Sequence, residues 1–239
     1  LKKGKMDAER GAKFTKLARE IIVAAKTGGG NPEANLRLRL AIQKARENSM
    51  PQDKIKNAIQ RGTGEIEGAT YEEITYEAYG PGGVAMIIEC ATDNRNRTVA
   101  DIRSILTKHG GRLAESGAVS YLFSSPTGLI TVPKDATDED TLIAVALEAG
   151  ADDVKLEDDV FNVTTEPGNL GTVQAALQKA SIAILSAEVT RIPATTVRVE
   201  GKEAQQVLRL MDLLEDLDDV QTVHANFDIP DEVLETAAG

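Results

Sequence analysis

The sequence predicts an α+β chain: an N-terminal three-helix bundle followed by two α/β ferredoxin-like domains, one inserted in the other. Three observations carry this. Residues 1–63 show only helical periodicity and hold 15 Lys/Arg against 6 Asp/Glu, whereas the remaining residues hold 12 against 32. The stretch Tyr71–Thr98, where the character changes, reads as two strands joined at Gly80-Pro81-Gly82-Gly83. Residues 128–193 run strand, helix, strand, strand, helix, strand, the order of a split βαβ unit. The predicted domains are 1–67, then 68–127 together with 194–239, and the insertion 128–193.

In the basic head, Phe14, Leu17, Ala18, Ile21 and Ala25 keep the spacing of one helical face from about Met6 to Lys26. Gly28-Gly29-Gly30 stops that helix. Asn31 reads as the N-cap of a second helix, with Pro32 and Glu33 in its first turn and an end near Asn48. Ser49 with Gln52 reads as a capping box for a short third helix carrying Ile55, Ala58 and Ile59 and stopping at Gly62. Residues 62–70 are glycine-rich and predict a linker.

Ile74, Tyr76 and Ala78 then alternate with polar residues, as in a half-buried strand, and Val84 to Cys90 is apolar enough for a strand buried on both faces. Pro81 cannot donate to a ladder and the flanking glycines permit positive φ, so the segment between is a turn. Thr98 with Asp101 fits a capping box for a helix running to His109. A strand is expected over Ala118–Phe123 and a break at Ser124–Thr127. The inserted strands fall at Leu129–Val132, Asp153–Glu157, Val160–Thr164 and Ala183–Ile192, with helices at Asp138–Ala149 and Asn169–Ala180. After Pro193 come a strand at Thr195–Val199, a helix from Lys202 to Leu214 and a strand from Val220 to Asn226. These are too few to cover their own apolar face, and they complete the unit begun at Tyr71.

Several motifs, in this order and spacing, resemble the YebC/PmpR family. They are Ala24-Ala25-Lys26 with Gly29 and Gly30, Asn48-Ser49-Met50-Pro51, Arg61-Gly62, Tyr79-Gly80-Pro81-Gly82-Gly83 and Asp93-Asn94-Arg95-Asn96-Arg97-Thr98. Val119-Ser120-Tyr121-Leu122-Phe123, Glu148-Ala149-Gly150-Ala151 and Ile192-Pro193 continue the likeness over nearly the whole chain. The resemblance implies a three-domain plan and a cytoplasmic regulator of gene expression without cofactor. Most members are described as DNA-binding transcriptional regulators, and others as translation factors at the ribosome. It also implies a short basic and aromatic N-terminal arm, which this sequence, beginning at Leu1, lacks.

Residue chemistry argues against an enzyme. Two distant histidines, His109 and His224, and one cysteine, Cys90, offer no zinc spacing and no catalytic constellation. Cys90 sits in an apolar run where a thiolate is disfavoured, and no disulfide can form within the chain. No run approaches a membrane span, and no signal-peptide pattern is present. The Gly80–Gly83 turn lacks the Gly-Lys-Ser/Thr ending of a phosphate loop. No metal ligands, catalytic residues or cofactor are therefore expected.

The charge asymmetry points to phosphate. A basic head on an acidic body can bind nucleic acid through one surface even though the net charge is −11. The candidate nucleic-acid-binding residues are Lys2, Lys3, Lys5, Arg10, Lys13, Lys16, Arg19, Arg37, Arg39, Lys44, Arg46 and Arg61. Such cations displace counterions with little sequence preference, and no base-reading helix can be named. Asn94, Arg95, Asn96 and Arg97 form a candidate second anion site at a helix start; the competing reading is a polar loop whose arginines pair with carboxylates. The expected partner is DNA or ribosomal RNA, the latter within the ribosome. A protein-interaction scaffold using the acidic body is the third alternative.

Overall fold

The computed structural model describes residues 2–230, with side chains from residue 4 onward. It divides into two compact units, residues 1–122 with 195–239, and residues 123–194.

In the first unit, helices α1 (Lys2–Gly28), α2 (Leu36–Glu47) and α3 (Gln52–Thr63) enclose a core of Leu17, Ile21, Ile22, Leu38, Ile42 and Ile55. The chain turns differ from those expected. Asn31 forms a local turn, accepting from the Glu33 N–H, and the N-cap of α2 is Asn35. Asn35 is buried because it does more than cap: its Oδ1 accepts from Leu38 N–H, and its amide donates to the Ala24 and Gly29 carbonyls, tying α2 to the end of α1. The Ser49 capping box is also absent. Ser49 takes φ 58° and Pro51 stands at the N-cap without a side-chain bond. Helix α3 runs past Gly62 to a left-handed Gly64. Gly62 is needed for another reason: a Cβ there would lie 2.5 Å from the Ile22 carbonyl of α1.

Strands β1 (Glu72–Tyr79) and β2 (Ala85–Thr92) form the expected hairpin, in register from Glu72 opposite Thr92 to Tyr79 opposite Ala85. Gly82 and Gly83 have φ 74° and 77°, and Gly82 sits too close to Val199 and Glu203 to carry a side chain. The turn thus also seats the start of a later helix. Helix α4 (Arg95–Lys108) follows, then β3 (Arg112–Ala114) beside β1.

The strand expected over Ala118–Phe123 does not form; Ser120–Leu122 is one 3₁₀ turn. The physical reason is Glu77. Its carboxylate lies on the sheet face opposite Ala78 and accepts the N–H groups of Gly117, Val119 (2.9 Å) and Ser120 (2.6 Å). Those donors are consumed by a side chain rather than a ladder. Burial alone would raise the Glu77 pKa, yet these bonds leave it below the ordinary value.

The second unit contains β4 (Thr127–Pro133), α5 (Glu139–Glu148), β5 (Asp153–Glu157), β6 (Val160–Thr165), α6 (Leu170–Lys179) and β7 (Ser186–Thr190). Its antiparallel order β5-β6-β4-β7 is that of the ferredoxin-like sheet. Ile130, Val132, Phe161 and Val163 pack on Leu142, Val173 and Leu177.

The chain then returns to the first unit through β8 (Val197–Arg198), α7 (Gly201–Glu215), β9 (Val220–Ala225) and β10 (Phe227–Asp228). Strand β9 pairs with β2, giving a four-stranded antiparallel sheet of order β3-β1-β2-β9. Helices α4 and α7 cover one face of it with Ile102, Leu106, Val207, Leu210 and Leu214 over Met86, Ile88 and Cys90. No described helix is long and apolar enough to cross a membrane.

Candidate nucleic-acid interface

The helical periodicity that builds the head also sorts its cations. Positions facing the core are apolar, so Lys5, Arg10 and Lys13 of α1, and Arg39, Lys44 and Arg46 of α2, are exposed. Lys54 and Lys56 of α3 are exposed too and escaped the sequence-derived set. Phe14 places Lys54: Arg10 lies 5.3 Å from the centre of its ring and Lys54 5.5 Å. One ring on α1 therefore gathers cations from two helices, a cation–π arrangement. The signal for Lys54 was available in the sequence as a charge in the first turn of an amphipathic helix. Lys5 lies 4.0 Å from Glu9, an exposed pair with little holding power. The side chains of Lys2 and Lys3 lie outside the described residues.

Four of the expected contact residues are committed to the fold. Arg19 is buried, donates to Asp219 Oδ1 at 2.8 Å and to the Ala91 carbonyl at 2.9 Å, and stacks 4.6 Å from the Tyr71 ring. Lys16 is half-buried and donates to the Glu215 carbonyl at the end of α7. Burial lowers its pKa in spite of nearby Glu215, Asp216 and Asp218. Arg37 is clamped by Glu73 and Glu20, at 2.6 Å and 2.8 Å, and these bonds raise its pKa. Arg61 is half-buried, with its guanidinium against the backbone of Gly68. It lines a cleft of about 550 Å³ with Lys26 and Tyr71, between α1, the end of α3 and the linker.

The start of α4 follows the competing reading given above. Asn94, not Thr98, is the N-cap, accepting from Arg97 N–H. Arg95 pairs with Glu72 at 3.4 Å. Arg97 pairs with Asp93 at 2.6 Å and Asp219 at 2.8 Å, which raises its pKa. Asn96 is exposed. Thr98 is buried and donates to Asp219 Oδ2 at 2.8 Å. Asp219 thus joins Arg19 of the head to Arg97 and Thr98 of α4. Burial would raise its pKa, but the bonds from Arg97, Arg19 and Thr98 outweigh that and hold it at about 2.

Cys90 is buried, and desolvation pushes its thiol up to about 12, so it carries no nucleophile at neutral pH. Among the described residues no group of three or more His, Cys, Asp or Glu could hold a metal ion.

Residues 1–65 match the family model described as the TACO1/YebC protein N-terminal domain, and residues 71–227 match the TACO1/YebC second and third domain. The chain is 55% identical to a protein of Persephonella marina over 98% of this chain and 94% of that one. It is 53% identical to one of Dictyoglomus turgidum, again over 98% and 94%. Both relatives are named "Probable transcriptional regulatory protein". The crystal structure of a conserved hypothetical protein from Aquifex aeolicus superposes with a TM-score of 0.80 at 48% identity, covering 95% of this chain and 94% of that one. With both family models matched in order across almost its full length, this chain belongs to the TACO1/YebC family.

Proposed function

We propose that this chain is a non-enzymatic regulator of gene expression that binds duplex DNA through the phosphate backbone, using the exposed cations of its helical head. The observation that carries this reading is the convergence of Arg10 and Lys54 on Phe14, with Lys13, Arg39, Lys44, Arg46 and Lys56 also exposed on the head, whereas Arg19 and Arg37 are paired inside the fold. Free cations on a rigid bundle release counterions from nucleic acid. The names of the two relatives agree with a transcriptional role.

The head presents phosphate contacts and no set of side chains matched to base edges. Sequence discrimination is therefore expected to fall below the roughly 1000-fold ratio of dedicated repressors. The test is competition at physiological salt between a labelled promoter duplex, random duplex and purified ribosomal subunits. Displacement by random duplex with no displacement by ribosomes supports backbone binding of DNA. Efficient displacement by ribosomes alone replaces this reading with a translation factor that binds ribosomal RNA.

A further inference from the structure

Outside the head the body is strongly acidic, but its helix α7 carries a stripe that is not. Helix α7 carries Lys202, Gln205, Gln206 and Arg209 at the i, i+3, i+4, i+7 spacing of a single face. The opposite face is Ala204, Val207, Leu210 and Leu214, buried against the sheet. The polar stripe consequently points outward, and all four residues are exposed. Across from it stand Lys108 and His109 at the end of α4, and together they line a cleft of about 340 Å³. No carboxylate lines this cleft. Among the described residues, none of Lys108, Lys202 and Arg209 is in an ion pair. The first turn of α7 adds unused donors, because Glu200 caps nothing and its carboxylate is bound by Arg198.

We propose that the α4–α7 cleft is a second contact for the phosphodiester backbone of nucleic acid, held by Lys108, Lys202 and Arg209 with amide donors from Gln205 and Gln206. The proposal rests on the reading of the head given above and extends it to a second point. From Lys202 to Arg209 the helix rises about 10 Å, the axial length of about three phosphates on one strand. None of the residues lining the cleft is a carboxylate, so a bound phosphate would meet no like charge in its walls. The cleft is at the C-terminal end of α4, and the Asp219 network that anchors the head is at its N-terminal end. Fourteen residues of helix separate them. At 1.5 Å per residue that is about 20 Å, the length of roughly six base pairs.

The experiment uses the full chain, a 30-base-pair random duplex and a folded ribosomal RNA fragment, with affinity measured across a range of KCl concentrations. The variant Lys108→Gln/Lys202→Gln/Arg209→Gln should reduce the magnitude of the log K against log salt slope by about 2 to 3 and weaken binding at least about tenfold near physiological salt. A control, Lys134→Gln/Lys155→Gln/Lys179→Gln, removes the same charge from elsewhere on the body and should leave the slope unchanged. In the parent complex, Lys108 and Lys202 should be protected from acetylation. A cleft variant with the parent's slope, a control that loses as much, or unprotected Lys108 and Lys202 overturns the proposal. So does tighter binding of poly-Glu than of duplex by a head-neutralised chain, which would assign the cleft to acidic protein. An Arg10→Gln/Lys13→Gln/Lys54→Gln head variant separates the two ideas. Should it keep its slope while the cleft variant loses its own, the head reading fails and the cleft stands.

Discussion

Arg19 and Asp219, 200 residues apart, form a buried hydrogen-bonded ion pair of 2.8 Å. The pair joins the basic head to the sheet that the chain completes only at its end. Asp219 also accepts from Arg97 and Thr98, and Arg19 also donates to the Ala91 carbonyl, so each charge is satisfied by more than its partner. Removing Arg19 leaves a buried carboxylate with fewer donors. Arg19→Ala is expected to cost about 3 kcal/mol in chemical denaturation, while the folded fraction binds nucleic acid with unchanged affinity. A loss of binding in the still-folded protein would show that Arg19 touches the ligand.

The same carboxylate sets an acid limit. Its folded pKa, about 2, is depressed below the ordinary aspartate value of about 3.9. The stability it contributes is therefore present above about pH 4 and is lost as pH falls towards 2, amounting to about 2 kcal/mol for this group. Asp219→Asn should flatten the acid limb of the stability profile between pH 4 and about 2. An unchanged limb would mean that other carboxylates govern it.

Glu77 makes a parallel prediction on the other side of the sheet. Three backbone N–H groups converge on its buried carboxylate. Glu77→Ala leaves them without an acceptor, and is expected to cost about 3 kcal/mol and to free residues 115–120 for rapid amide exchange. Retained protection at Val119 and Ser120 would refute this.

Residues 123–194 are proposed to fold alone. They have their own core, and their ends are stitched together by the Ser124 N–H to Ile192 carbonyl bond at 2.8 Å and the return bond from Ile192 N–H to Ser124 Oγ at 2.9 Å. The excised segment should give a cooperative thermal transition, and the remaining chain with Leu122 linked to Thr195 should keep its own. Aggregation of both pieces would contradict it.

Periodicity and turn chemistry made much of the architecture legible. The three helices, the hairpin at Gly80–Gly83 and the strand–helix order of the insertion were all local patterns. What stayed hidden had partners far away in sequence. Asn31 and Asn35 offer equivalent caps locally, and only the Ala24 and Gly29 carbonyls choose Asn35. Ala118–Phe123 has strand character, but Glu77 takes its donors. Among the arginines, the distinction between Arg10, which is exposed, and Arg19, which is buried, depends on Asp219. Likewise Arg95 and Arg97 looked available beside a helix start until Glu72 and Asp219 came alongside. A charge count finds the basic head; it cannot tell which charges the fold has already used.

In the proposed function, Arg10 and Lys54 at Phe14, with the other exposed cations of the head, grip phosphates. The most direct test is the salt dependence of duplex binding by the full chain and by Arg10→Glu/Lys13→Glu/Lys54→Glu, with circular dichroism confirming that both are folded. If the head neutralises about five phosphates, its share of the log K against log salt slope is near −4.5. The triple variant is expected to lose most of that slope and to bind no better than the isolated body, while its helical signal is intact. An equally folded variant with the parent's slope and affinity would contradict it.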